Sequence, residues 1–401
     1  MREIDKGVCV QGFRAGGVKK GKYGVSVILS KRVANCALMV TSNRVKAAPI
    51  LVSMENAKAG RIRGIVANSG NANAYSGASG VENAREMCRR AAEELELSPE
   101  NFIVASTGMI GRKMDMGTIA EHIETVSKNL DSSVEAAEEA ARGIMTTDTF
   151  RKLVSVETKL EDGTRVEIGG IAKGAGMIAP DLKHATMLCF ITTNAYVPPG
   201  KIKTSLGIAV EQSFNMAVVD RDTSTNDMVV LMANGIAGNK GIDGNFQEAL
   251  NYVARELAKM IVKDGEGATK YVEVTVRNAL TIKDAKAAAK AVAGSNLVKT
   301  ALFGGDPNWG RIIAAVGYSG AEIAPDKITL AIGDKRRKAR IIDRGRVIAF
   351  KGTKELKKAE NVLRRNEVYI DVDLGMGRRA ATAYGCDMGY DYIKINSQYS
   401  T

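Results

Sequence analysis

The sequence predicts an α/β protein built as a layered sandwich, with a smaller α/β unit toward its C-terminal end. Three observations carry that prediction. First, 401 residues of which 45% are hydrophobic can bury two cores or one large two-layer core. Second, strand-like runs follow one another and are succeeded by runs of helix, which favours a layered sandwich over a doubly wound sheet. Third, the texture changes near residue 280, where alanine-rich helical segments lead into new strands without a long linker, a repeat or a low-complexity tract.

Taken in order, "GVSVILSKR" (24–32), "ANCALMVTSN" (34–43) and "GRIRGIVANSG" (60–70) are β-branched runs bounded by turn residues, hence strands. "VENAREMCRRAAEELEL" (81–97) is an amphipathic helix that stops before Ser98-Pro99. "FIVASTG" (102–108) is a buried strand entering a glycine turn, and "SVEAAEEAARGIM" (133–145) is a second helix. "TRVEIGGIAKGAGM" (164–177) and "ATMLCFITTNA" (185–195) are expected to be neighbouring strands. After Pro198-Pro199 come a helix (200–216), the strand "DMVVLMANG" (227–235) and a long helix (245–264). In the last part, 284–303 and 308–320 read as helical. "KITLAIG" (327–333), "ARIIDRGRVIAF" (339–350) and "EVYIDVDLG" (367–375) read as strands.

Composition narrows the function. No apolar run is long enough to span a bilayer, and the first residues carry no export signal, so a cytoplasmic protein without membrane contact is expected. The five cysteines are scattered and form no CxxC pair, so neither a disulfide framework nor a metal site is expected. The formal charge is +12, but the basic residues are dispersed and aromatics make up only 5%, which weighs against nucleic-acid binding. "GAGMIA" (174–179) fits a loose dinucleotide fingerprint, yet Pro180 follows where a helix should open and no acidic residue follows at ribose distance. "DRDTSTND" (220–227) begins like a calcium loop, but Thr225 and Leu231 stand where glycine and glutamate are needed. No cofactor is expected.

There are only two histidines, His122 and His184. His122 lies in a helical pattern (116–130) and is expected to face solvent. Histidine-based nucleophilic chemistry therefore has little to work with. Thr186 offers another route. It stands directly before the apolar run 187–191, behind a loop with Gly176 and Pro180. A threonine opening a strand is common. Alternatively, the chain is cut between Ala185 and Thr186, and the freed α-amino group becomes the base. Its pKa of about 7.7–8.0 leaves a useful neutral fraction near pH 7. It can accept the proton of its own hydroxyl without a histidine.

Eight motifs in order resemble the ornithine acetyltransferase family, also called glutamate N-acetyltransferase. They are "KGAGMIAP…ATMLCFITTNA", "NSGNANAYSG" (68–77), "ASTGMIG" (105–111), "IMTTDT" (144–149), "DTSTND" (222–227), "KDGEGATK" (263–270), "DPNWGRI" (306–312) and "YIKINSQYST" at the C-terminus. Together they cover nearly the whole chain. The resemblance implies a layered αββα sandwich with a smaller C-terminal domain. It implies self-cleavage into an α chain, 1–185, and a β chain whose first part, 186–280, completes the sandwich before the C-terminal domain, 281–401. The chains stay together, as α2β2. The implied reaction is acetyl transfer from N2-acetylornithine to glutamate through an acetyl ester on Thr186. Acetyl-CoA is a second donor in some members and not in others.

The resemblance also implies residue roles. Thr107 and Gly108 would form the oxyanion hole, although Ser-Thr-Gly is also an ordinary strand-to-turn corner. Lys173 would meet a substrate carboxylate and Glu266 the ornithine ammonium, although both residue types are mostly plain surface charge. Thr147 would contact substrate, with Thr146 as its rival. Asn396 and Thr401 would bring the chain end over the pocket. Two features depart from the family pattern: Lys183-His184 look inserted before the scissile alanine, and Arg221 replaces a common glycine. A self-processing aminopeptidase of the same fold is the nearest alternative, and it would lack the partners Lys173 and Glu266 provide.

Overall fold

The computed structural model describes residues 1–179 and 187–398. Contacts divide the chain into two compact units. Of the described residues, one comprises those of Met1–Asn215 with Asp222–Ile261; the other comprises Met216–Arg221 with 262–398.

The first unit is organised by one long strand, Tyr23–Val40. Its first half lies between Phe13–Lys20 and Arg61–Asn71, and its second half pairs with Met228–Ala233. The pairing register shifts between Leu29 and Ala34. This one strand therefore belongs to both halves of a nine-stranded mixed sheet. The sequence suggested two strands here because Lys31 and Arg32 interrupt the apolar run. Both are exposed residues on a continuous strand.

Alternation along the strands sorts the side chains into layers. Val25, Val27, Val66 and Val104 pack with Met87, Ala91, Ile119 and Ile123 of helices Gly77–Leu95 and Met116–Lys128. Ile28, Ile65, Ile103 and Ala105 point the other way. They share a core with Ile171, Phe190, Val230 and Met232 from the other half of the sheet. Beyond that half, Leu257 of helix Gly244–Lys263 packs against Gly170, and helix Pro199–Glu211 packs against the long strand. The order is helix, sheet, sheet, helix: the layered α/β sandwich.

His122 is not at the surface. With Ile119, Ile123 and Val126 it occupies the i, i+3, i+4, i+7 stripe of its helix and is only 2% exposed. Burial lowers its pKa, with the Lys20 charge adding, so it packs as a neutral ring. The solvent-facing expectation was wrong because a single polar residue on an apolar stripe does not move the stripe.

The second unit has a seven-stranded sheet that includes the short strand Ala217–Val218. Its strand Tyr271–Ala279 lies between Glu367–Asp373 and Arg379–Cys386, so this sheet begins ahead of the change in texture near residue 280. The stretch 339–350 is not one strand but a hairpin of Lys338–Asp343 and Arg346–Val347. Arg344 (φ 44°) and Gly345 (φ 73°) turn the chain between them. Arg221 has φ 72°, the left-handed conformation glycine adopts without strain. The departure from the common glycine thus keeps the glycine backbone shape.

Candidate active site

The strand Phe102–Met109 delivers Thr107 and Gly108 to the end of its parallel pairing with Arg61–Asn71. There Ser69 registers with Thr107 and Gly70 with Gly108, and the ladder then breaks as Asn71 pairs with both Thr107 and Met109. Gly108 has φ +129°. A Cβ on it would come within 2.4–2.6 Å of the backbone of Gly70 and Asn71. Only glycine fits this corner, and it lets a peptide group leave the ladder where a ligand can meet it. Side chains of the "NSGNAN" stretch hold the loops around it. Asn71 donates to the carbonyls of Arg112 and Lys113, and Asn73 to that of Gly80.

Lys173 ends the strand Arg165–Lys173, opposite Leu188 in register. Its Nζ donates to the Thr107 hydroxyl at 3.2 Å, and both residues are buried. The structure thus joins two of the expected site residues, 66 positions apart. A threonine hydroxyl held by an ammonium has its own proton free to donate elsewhere.

Asp148, which the sequence reading passed over, ties the surrounding loops together. Its carboxylate accepts from Lys152 Nζ at 2.7 Å, Gly174 N–H at 2.7 Å and Thr146 N–H at 2.9 Å. The side chains of Asp148 and Lys152 are both 0% exposed. Burial alone would raise the Asp148 pKa, but the Lys173 and Lys152 charges overcome it and hold the carboxyl well below the usual range. Thr147 sits half-buried on the same loop, and its hydroxyl makes no hydrogen bond among the described residues.

The "DTSTND" loop closes the arrangement. Asn226 donates to the carbonyls of Ala72 (2.5 Å) and Ser106 (2.9 Å), so it grips the chain just before Thr107. Asp227 is wholly buried, and burial pushes its pKa well above the carboxylate range against the pull of the Met187 N–H and Lys173. Its Oδ2 has no hydrogen-bond partner among the described residues. Met228 N–H donates to the Met187 carbonyl at 2.8 Å, which fixes the chain one residue beyond position 186.

In the second unit, Asn396 Nδ2 donates to Glu266 Oε2 at 2.8 Å, joining two more of the expected residues. Gly267 (φ +69°) permits the approach, because a Cβ there would lie 2.4 Å from the Tyr392 nitrogen. Tyr392 hydroxyl also reaches Asp220 Oδ2 at 3.4 Å. Ala185, Thr186, Lys183-His184 and Thr401 lie outside the described residues.

Among the described residues, no group of three or more His, Cys, Asp or Glu side chains could hold a metal ion, and no helix is long and apolar enough to cross a membrane. All five cysteines are free and buried.

One expected outcome follows for the Thr107 corner. Thr107→Ala removes one donor and is expected to slow acyl transfer about 10²–10³-fold while the fold is kept. Steady-state turnover beside circular dichroism checks this; unchanged turnover would remove Thr107 from the chemistry.

Comparison with known proteins places these residues in context. Residues 10–401 match the model of a family described as the ArgJ family. The chain is 49% identical over 402 residues to the glutamate N-acetyltransferase of Methanothermobacter thermautotrophicus, covering 100% of this chain and 99% of that one. It is 45% identical over 405 residues to the arginine biosynthesis bifunctional protein ArgJ of Caldanaerobacter subterraneus subsp. tengcongensis, covering 100% of this chain and 98% of that one. Among solved structures, it resembles that of the arginine biosynthesis bifunctional protein argJ from Bacillus halodurans. The TM-score is 0.50 and the identity 42%, with 53% of this chain and 100% of that chain covered.

Proposed function

The chain belongs to the ArgJ family, and on that premise we propose that it is a glutamate N-acetyltransferase that moves the acetyl group of N2-acetylornithine to glutamate. The mechanism is ping-pong. The precursor cuts itself before Thr186, the Thr186 hydroxyl takes the acetyl group from acetylornithine, and the ester is then attacked by the amino group of glutamate. The new α-amino group of Thr186 serves as base for its own hydroxyl. The tetrahedral intermediates place negative charge on the former carbonyl oxygen. In this reading the Thr107 hydroxyl and the Gly108 N–H receive that charge.

Lys173 binds the α-carboxylate common to both substrates, and Thr147 lends a neutral contact. Glu266, Asn396 and Thr401 contribute to binding, with Glu266 taking the ornithine ammonium. The two chains remain associated as an α2β2 assembly. The observation that supports the reading is the buried Lys173–Thr107 contact, which joins two of the quoted motifs and is tied by Asp148 and Asn226 to two others. A buried cation on the donor that stabilises an oxyanion is arranged for negatively charged intermediates and substrates.

Purified protein given glutamate with either N2-acetylornithine or acetyl-CoA, in parallel, tests the reading. N-acetylglutamate and ornithine in equal amounts from the first mixture are expected. No product from that mixture would refute the assignment. The second mixture decides whether acetyl-CoA is also a donor.

A further inference from the structure

We propose that Lys19 anchors the side-chain carboxylate of the acceptor glutamate, a contact that N2-acetylornithine does not make. This rests on the reading that glutamate is the acceptor. The two half-reactions set a charge problem. The same site receives first a side chain ending in an ammonium group and then one ending in a carboxylate. The first needs an anionic or neutral partner and the second a cation, so the acceptor's carboxylate needs a positive group that the donor does not use.

Lys19 has the required properties. It lies on the strand Phe13–Lys20 and is half-buried. Its Nζ donates to the Ser69 hydroxyl at 2.9 Å and to the Met145 carbonyl oxygen, and its third contact, with the Lys22 carbonyl, is long at 3.5 Å. All three acceptors are neutral, and Lys19 forms no ion pair with any described residue. A partly dehydrated ammonium without a counter-ion is costly, and burial lowers its pKa to about 8. Asp148 opposes that fall, but Asp148 is already bonded to Lys152, Gly174 and Thr146; Lys173 and Arg142 deepen it. An arriving carboxylate supplies the missing charge and takes up the poorly used third proton.

The location fits. Ser69 is the register partner of Thr107, so its Cα lies roughly 4.8 Å from the Thr107 Cα across the ladder. Met145 directly precedes the Thr146–Asp148 loop. Lys173 thus reaches the Thr107 hydroxyl while Lys19 reaches the hydroxyl beside it. The two ammonium groups match the two carboxylates of glutamate, whereas acetylornithine has one.

The competing explanation is that Lys19 only braces the loop through Met145. Lys19→Gln keeps hydrogen-bonding capacity and loses the charge; Lys19→Met removes both; Lys19→Arg keeps the charge. Each half-reaction is measured separately: ornithine released on acetylation of the enzyme, and acetyl transfer from acetylated enzyme to glutamate or to glutamine. Lys19→Gln and Lys19→Met are expected to raise the glutamate KM about ten- to a hundredfold, and Lys19→Arg to restore part of it. The preference for glutamate over glutamine should shrink by a similar factor, while ornithine release changes little. An equal loss in both half-reactions, or an unchanged glutamate KM, would overturn the assignment. A wild-type enzyme that transfers nothing to glutamate would overturn the parent reading as well, whereas a transferring wild type beside an indifferent Lys19→Gln overturns this inference alone.

Discussion

Thr186→Ala is expected to yield one uncut polypeptide that transfers no acetyl group. The side chain has two tasks in this account. Its hydroxyl attacks the Ala185 carbonyl, water hydrolyses the resulting ester to free the Ala185 carboxylate and the hydroxyl, and that hydroxyl afterwards carries the acetyl group. Alanine can do neither. The loss in turnover should be at least about 10⁴-fold, because removing a nucleophile leaves only binding and the oxyanion donors. Thr186→Ser keeps a hydroxyl and should still be cut. A denaturing gel and a turnover assay on the same preparation read both tasks at once. Measurable transferase activity in uncut Thr186→Ala protein would refute the catalytic role.

Asp148→Asn is expected to cost about 3–5 kcal/mol of stability, read as a lower denaturation midpoint in urea. The asparagine has the same size but leaves the buried Lys152 ammonium without its 2.7 Å carboxylate partner. Turnover should fall too, since the amide keeps only one acceptor oxygen and either Thr146 or Gly174 loses the one that positions it. The sign with pH follows from the direction of the shift. The folded-state pKa of Asp148 is depressed below its ordinary value of about 3.9, so its contribution is complete above that pH and is lost only as pH falls toward the folded pKa. The stability gap between wild type and variant should therefore be constant from neutral pH down to about 5 and narrow in stronger acid. An Asp148→Asn protein as stable as wild type would show that the pair contributes nothing net.

Much of the fold was legible because alternation carries it. Val25 and Val27 against Ile28, or Val66 against Ile65, already separate the helix-facing side of the sheet from the inner core. What misled was local charge and local glycine. Lys31-Arg32 suggested a gap in a continuous strand, and the Arg344-Gly345 turn was hidden in a run of β-branched residues. His122 showed the converse, a polar residue carried inward by its apolar neighbours.

The candidate site was less legible from residue types alone. Thr107, Lys173, Glu266 and Asn396 stood out through motif resemblance, not through spacing. Asp148, Asn226 and Asp227 lie inside quoted motifs, yet nothing local distinguishes a polar side chain that reaches a distant segment from one that caps a turn. Lys19 carries no sequence signal. A lysine on a strand reads as solvent-facing, and its partners Ser69 and Met145 are 50 and 126 residues away.

The most direct measurement is the intact mass of the denatured protein after brief exposure to N2-acetylornithine without glutamate. Two polypeptides are expected, one ending at Ala185 and one beginning at Thr186. The second should carry a single acetyl group that disappears when glutamate is added. Fully active protein seen as a single chain, or a Thr186-initiated chain that never gains the acetyl group while turnover proceeds, would contradict the Thr186 mechanism.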